Sequence, residues 1–224
     1  MNKKNFIAAF KHLNTVLTHK KWVFYYCCKA GIPFRGLVHD LSKFSPTEFG
    51  ESIKYYTGTH SPIDECKKKN GVSYAWMHHK GRNSHHYEYW QDNFDKGTDH
   101  IQMPYKCAVE MICDYLGAGK AYQKDKFTYA GEYEWWLKKK DTANAMHPQT
   151  KLFVNYVLLK MSALEREEEN PLTALNKRYT KSLYRHCEKM YRLSKKNPDE
   201  INLVHHVTDR YGNIEKTAVY TNIH

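Results

Sequence analysis

Apolar residues recur at helical spacing through most of the chain. Between Lys3 and Ala30 they fall at Phe6, Phe10, Leu13, Leu17, Phe24 and Cys28, one stripe of a long helix, with Ala9, Val16, Val23 and Cys27 widening it. Gly31-Ile32-Pro33 stops that helix. A short second helix is expected over 34–41, carrying His39-Asp40 near its end. Ser45-Pro46-Thr47-Glu48 opens a third: Ser45 caps, Pro46 suits the first helical position and Glu48 completes a capping box. It fades at Tyr56-Thr57-Gly58, and the polar stretch 59–71, with Pro62 and Gly71, reads as a loop or insertion.

Further helices are expected over 72–79, over 103–116 and at 131–140, 148–167 and 171–195. Gly81-Arg82-Asn83 breaks the first of these, and Ser84 caps a new turn through His85 to Asn93. Gly117-Ala118-Gly119 closes the helix that Met103-Pro104 opens. After about residue 198 the pattern changes. Leu203–Val207 and Thr217–Tyr220 alternate around Asp209-Arg210-Tyr211-Gly212-Asn213, a β-hairpin signature. The expectation is an all-α domain over 1–198 followed by a hairpin or tail over 199–224. There is no internal repeat.

Charge narrows the partners. Lys and Arg number 35 against 24 Asp and Glu, a formal charge of +11, which favours a phosphorylated small molecule, nucleic acid or an anionic surface. The clusters Lys67-Lys68-Lys69 and Lys138-Lys139-Lys140 fit solvated helix ends. Six cysteines, none in a Cys-x-x-Cys pair, point to a reducing cytoplasm and away from a structural zinc knuckle. No apolar run approaches the ~20 residues that cross a bilayer, so neither a signal peptide nor a membrane partner is expected.

The chemistry concentrates in histidine and aspartate. His39-Asp40 closes an apolar run, with Lys43 three residues on, and both side chains suit a borderline or hard divalent metal. His19 lies at the edge of the apolar arc of the first helix, seven residues after His12 on the same face. Asp114 sits at the edge of the arc made by Cys107, Ala108, Met111, Ile112 and Tyr115, with Glu110 one turn before it. An acid so placed requires a partner. Two doublets, His78-His79 and His85-His86, stand seven residues apart in an aromatic setting. His12, His60, His100, His147, His186, His205, His206 and His224 read as structural or exposed.

The order His19, His39-Asp40, the doublets, Asp114 resembles the HD-domain superfamily of metal-dependent phosphohydrolases. Leu37-Val38-His39-Asp40-Leu41-Ser42-Lys43 resembles the family's apolar-His-Asp-x-x-Lys form, and Glu110-Met111-Ile112-Cys113-Asp114 its helix with the last aspartate. The resemblance covers about residues 10–122. It departs from the dinuclear members in the closer spacing of the doublets. It implies an HD-like helical bundle holding one or two divalent transition metals (Mn, Fe, Co, Ni or Zn).

His19, His39, Asp40 and Asp114 would hold the first metal, and Asp40 would bridge to a second held by His79 and His86, with His78 and His85 as alternatives within each doublet. Lys43, with Arg35, Lys80 and Arg82, would orient a phosphate, and His85 would protonate the leaving group. The activity implied is hydrolysis of a phosphate ester in a nucleotide or other small metabolite. The alternatives are a di-iron oxygenase on the same scaffold and a non-enzymatic nucleic-acid or nucleotide-binding protein, with nucleic acid the less favoured partner.

Overall fold

A computed structural model describes residues 3–92, 100–196, 203–208 and 214–220. Nine α-helices occupy the described residues before two terminal strands: α1 (Lys3–Lys29), α2 (Pro33–Val38), α3 (Pro46–Tyr55), α4 (Pro62–Asn70), α5 (Tyr74–Lys80), α6 (Tyr105–Gln123), α7 (Tyr129–Thr142), α8 (Pro148–Arg166) and α9 (Lys177–Lys196). None is long and apolar enough to cross a membrane. All six cysteines are free thiols.

The centre of the bundle is α6. Every residue from Cys107 to Gly117 is buried, so this helix has no solvent face, and α1, α7, α8 and α9 pack around it. Val23, Tyr26 and Cys27 of α1 join Met111, Ile112 and Leu116 of α6 and Phe153, Val157 and Met161 of α8 in one core. Trp136, fully buried on α7, donates its indole N–H to Asn155 of α8 (3.3 Å) and ties the outer pair of helices together. On α9 only Thr180, Tyr184 and Cys187 are buried, at three- and four-residue spacing, so that helix lies on the surface.

The long first helix turns a different face inward from the one its bulkiest residues suggest. The buried positions are His12, Val16, His19, Val23, Tyr26, Cys27 and Ala30, while Phe6, Phe10, Leu17, Phe24 and Cys28 are exposed. His19 therefore sits within the buried face, not at its edge. Small side chains face α6 because the two helices approach closely. A methyl group built on Gly117 would lie 2.5 Å from Val23 Cγ2 and 3.1 Å from its backbone nitrogen. For the same reason Gly117-Ala118-Gly119 does not end α6, which continues to Gln123. There glycine is a packing residue, and Gly119 admits Phe127 and Glu132.

Other boundaries also move. The stretch 59–71 contains α4: Ser61 accepts a hydrogen bond from the Ile63 N–H, Pro62 takes the first position, acids occupy the first turn and lysines the last, and Gly71 closes it at φ 75°. The expected 171–195 helix is a 3₁₀ segment, Pro171–Leu175, followed by α9, because Asn170 caps the first turn and Asn176 caps the Arg178 N–H. Between Ser84 and Asp92 there is a turn and one 3₁₀ turn, Tyr87–Tyr89, and residues 93–99 lie outside the described set.

The second helix stops at Val38, so His39-Asp40 follows it instead of riding on its end. Asp40 takes φ 54° and ψ 29°, left-handed backbone that costs a non-glycine residue about 1 kcal/mol. At the end of the chain, the backbone of β1 (Leu203–Thr208) runs antiparallel to β2 (Ile214–Tyr220), with Val204 opposite Val219. The connecting residues 209–213, on which the hairpin reading turned, lie outside the described set.

The α1–α6 contact sets a testable balance. Alanine is the better helix former by about 1 kcal/mol, but an added methyl at a fixed close contact costs about 1–3 kcal/mol. Gly117→Ala is therefore expected to lower the urea midpoint. Gly50→Ala, on exposed α3 with nothing within 4 Å of the added carbon, is expected to raise it. Equal effects from the two would show that α1 and α6 are not in close contact at Gly117.

Candidate metal centre

Four parts of the chain converge on the Asp40 carboxylate. His19 comes from α1, His39 from the residue after α2, His79 from the last turn of α5 and His85 from the turn after it, while α6 brings Asp114 to the far side. Asp40 Oδ2 lies 3.5 Å from His19 Nε2 and 3.2 Å from His39 Nε2. Asp114 Oδ1 lies 3.1 Å and 3.3 Å from the same two nitrogens. On the other side, Asp40 Oδ1 lies 3.4 Å from His79 Nε2 and 3.2 Å from His85 Nε2. His86 Nε2 is 2.9 Å from His79 Nε2. Two groups share Asp40, His19-His39-Asp40-Asp114 and Asp40-His79-His85-His86, and His39, His85 and Glu110 form a third.

A layer of carboxylates behind these rings fixes which nitrogen faces inward. Glu110 accepts from His39 Nδ1 (3.0 Å) and lies 3.4 Å from His85 Nδ1, and Glu48 accepts from His79 Nδ1 (2.7 Å). A carboxylate can only accept, so each Nδ1 carries a proton and each ring turns its Nε2 to the cluster. Burial would lower His39 and His85, but Asp40 beside them raises both, so without a metal these rings carry the charge that faces the Asp40 oxygens. Asp40 Oδ1 and His85 Nε2 are buried without a hydrogen-bond partner, and Asp40 Oδ2 has the Lys43 ammonium at its edge. A metal cation placed among these atoms would take over that role from the ring protons. Separations of 3.1–3.5 Å within the first group match the edges of a polyhedron with bonds of about 2.1 Å. The donor atoms present thus fit divalent transition metals at both groups.

The carboxylates of the cluster are held ionised. Burial would raise the Asp40 carboxyl, but His39, Lys43 and His79 hold it well below the ordinary carboxylate range. Burial works likewise on Asp114, and hydrogen bonds from His19 and His39 outweigh it. Glu110 is held down at about 2, its burial overcome by hydrogen bonds from His39 and His85. Burial, then the His85 charge, push His86 well below its ordinary value, leaving it a neutral imidazole.

The six residues read from the sequence as ligands are therefore brought together. His85 joins them with its Nε2 turned to Asp40, the position of a ligand as much as of a proton donor. His78 is outside both groups and bonds Glu48 Oε1 at 2.6 Å. Lys43 reaches the cluster and pairs with Asp40 Oδ2 at 2.6 Å. Arg35 is a clamp behind it, pairing with Glu110 and donating to Ser84 Oγ (2.9 Å). Arg82 is exposed and donates to the His78 carbonyl, and Lys80 makes no described contact with the cluster. Glu48 went unrecognised because it also fits a capping box. Ser45 does cap its N–H, but its carboxylate turns to the two histidines.

Beside the second group a cavity of about 530 Å³ reaches His86. Trp76, Tyr87, Tyr115 and Trp135 wall it, with Lys67 and Lys139 lying over aromatic rings. Glu132 lines it as well, 3% exposed. Burial, then the Asp114 charge, push this carboxyl up to about 8.

Residues 8–160 match a family of unknown function (DUF5662), and the chain belongs to that family. The matched stretch takes in every residue of the cluster from His19 to Asp114. No curated protein and no solved structure matches the chain.

The Glu132 position gives a pH dependence of known sign. Between the ordinary carboxyl value of 4.5 and about 8 the unfolded chain is ionised here while the folded chain keeps its proton. The folded state binds more protons, so stability falls as pH rises through that window and levels off above it, by at most about 1.4 kcal/mol per pH unit. Glu132→Gln removes that loss. In urea unfolding the variant is expected to match the wild type near pH 4.5 and to exceed it by on the order of 3 kcal/mol at pH 8. Parallel pH profiles would show that Glu132 is ionised in the folded protein.

Proposed function

We propose that this member of the family is a metal-dependent hydrolase of phosphate esters, acting on a nucleotide or another small phosphorylated metabolite, on an HD-like bundle with a C-terminal hairpin as an appendage. The observation that carries the reading is the sharing of one buried carboxylate, Asp40, by two histidine-rich groups. Each group offers the nitrogen and oxygen donors that Mn, Fe, Co, Ni or Zn accept. When bound, such metals lower the pKa of coordinated water and neutralise phosphate oxygens.

The chain's own residues have separate tasks in this reading. Glu110 and Glu48 hold His39, His85 and His79 with their Nε2 atoms turned inward. Lys43 carries its charge at the edge of the cluster, a quarter exposed, where a phosphate oxygen can meet it. Burial would lower its amine, but the Asp40 charge holds it above its ordinary value, so it stays cationic. The aromatic cavity beside His86 is large enough for the body of a small ester.

Metal analysis of protein purified without chelators or an affinity tag is expected to find two ions per chain. His39→Ala and Asp114→Ala should lose metal from the first group, and phosphatase activity should fall by about a hundredfold or more. His86→Ala should lose only the second ion. Full metal content with full activity in the first two variants would sink the proposal. Iron with oxygen-dependent substrate loss would replace it with a di-iron oxygenase. Metal-free protein whose salt-dependent nucleic-acid binding survives these substitutions would replace it with a binding protein.

A further inference from the structure

The face of α1 opposite the cluster is apolar, basic and uncovered. Phe6, Phe10, Leu17 and Phe24 stand along it, from 41% to 69% exposed. Their spacing follows one side of the helix. The surface continues onto the next element. Gly36 of α2 sits so close to α1 that an added methyl would lie 2.9 Å from Phe24 Cα, and Lys20 Nζ donates to the Leu37 and His39 carbonyls at 2.7 Å. Phe34, Leu37 and Leu41, all more than half exposed, therefore extend the α1 stripe sideways. At roughly 100 Å² apiece, these seven side chains leave on the order of 700 Å² of apolar surface, above the ~300–600 Å² of the largest patch on a typical monomer.

The exposed charge on the patch's own elements has one sign. From Met1 to Thr47 the sequence holds a single acid, Asp40, and that one is buried in the cluster. Lys11, Lys21 and Lys29 are exposed on α1. A second copy of the chain placed on this face by a two-fold axis would bring lysines against lysines. A surface with an apolar interior and negative headgroups satisfies both the phenylalanines and the lysines. Such a helix lies in the interface plane and does not span it.

We propose that the α1–α2 face is a docking surface for an anionic lipid leaflet, with Phe10 and Phe34 entering the acyl boundary and Lys21 and Lys29 meeting the headgroups. None of Phe10, Lys21, Lys29 and Phe34 is a metal ligand, so metal content reports on the fold of variants at these positions. The test is flotation with vesicles of phosphatidylcholine alone or mixed with phosphatidylserine. The full chain is expected to float with the mixed vesicles, weakly or not at all with the neutral ones, and less as salt rises. Phe10→Ser with Phe34→Ser, and separately Lys21→Glu with Lys29→Glu, are each expected to weaken binding by about tenfold or more with unchanged circular dichroism and metal content. Should the serine pair misfold, the lysine pair carries the test. No flotation with phosphatidylserine, or flotation unchanged by the lysine pair, overturns the proposal. A dimer in light scattering that the serine pair dissociates, without vesicle binding, assigns the face to a second copy instead.

Discussion

An ionised carboxylate in a helical bundle survives burial only with positive charge beside it, and the arrangement of this molecule follows from meeting that condition for Asp40. Removing such a group from water costs several kcal/mol even after relaxation. One Asp40 oxygen turns toward His19, His39 and Lys43, and the other toward His79 and His85. Imidazoles alone answer the charge only by holding a proton on both nitrogens, since Glu110 and Glu48 already take the Nδ1 protons. A metal on each side answers it well. The bundle is thus organised in shells around one carboxylate: acid, imidazole, acid, then the Arg35 clamp.

The same condition reaches into the backbone. Asp40 can present both oxygens because the chain turns through a left-handed conformation between α2 and the following 3₁₀ turn. The Lys43 N–H closes that turn on the Asp40 carbonyl at 3.0 Å. His19 meets Asp114 only because α1 lies hard against α6, which Gly117 and Val23 permit. α6, buried on all sides, then carries Glu110 and Asp114 into a region with little water. Close packing and site geometry are therefore one requirement: a methyl group added at Gly117 disturbs a helix contact one turn beyond Asp114.

Much of the site could be read from the residues, because metal-ligand chemistry restricts the side chains so sharply. His39-Asp40, His19 and Asp114 stand out by type and order before any geometry is known. The choice within the doublets could not be made from spacing, since it depends on where the turn after α5 points His85. The inversion of α1 has a plainer cause. Two stripes run along that helix, and the bulkier one looks like the core. A close helix contact selects Val, Cys and Ala, and a ligand site selects His, so the inward face reads as the weaker stripe. In α4 the reverse happened: hydrophilic composition hid a helix whose cap, first-turn acids and closing glycine were all present.

His85 decides what kind of chemistry the centre can do. Its Nδ1 is backed by Glu110, its Nε2 lies 3.2 Å from Asp40, and its side chain is 3% exposed. A nitrogen so enclosed serves better as a ligand than as a shuttle that must exchange protons with solvent. Lys43 has more access, but the Asp40 charge strengthens its hold on its proton, which suits an electrostatic anchor and not an acid. On the hydrolase reading, the side chains of the cluster therefore contribute chiefly by concentrating charge and fixing orientation. A substrate with a good leaving group, which needs little proton donation, is the kind such a centre would turn over fastest.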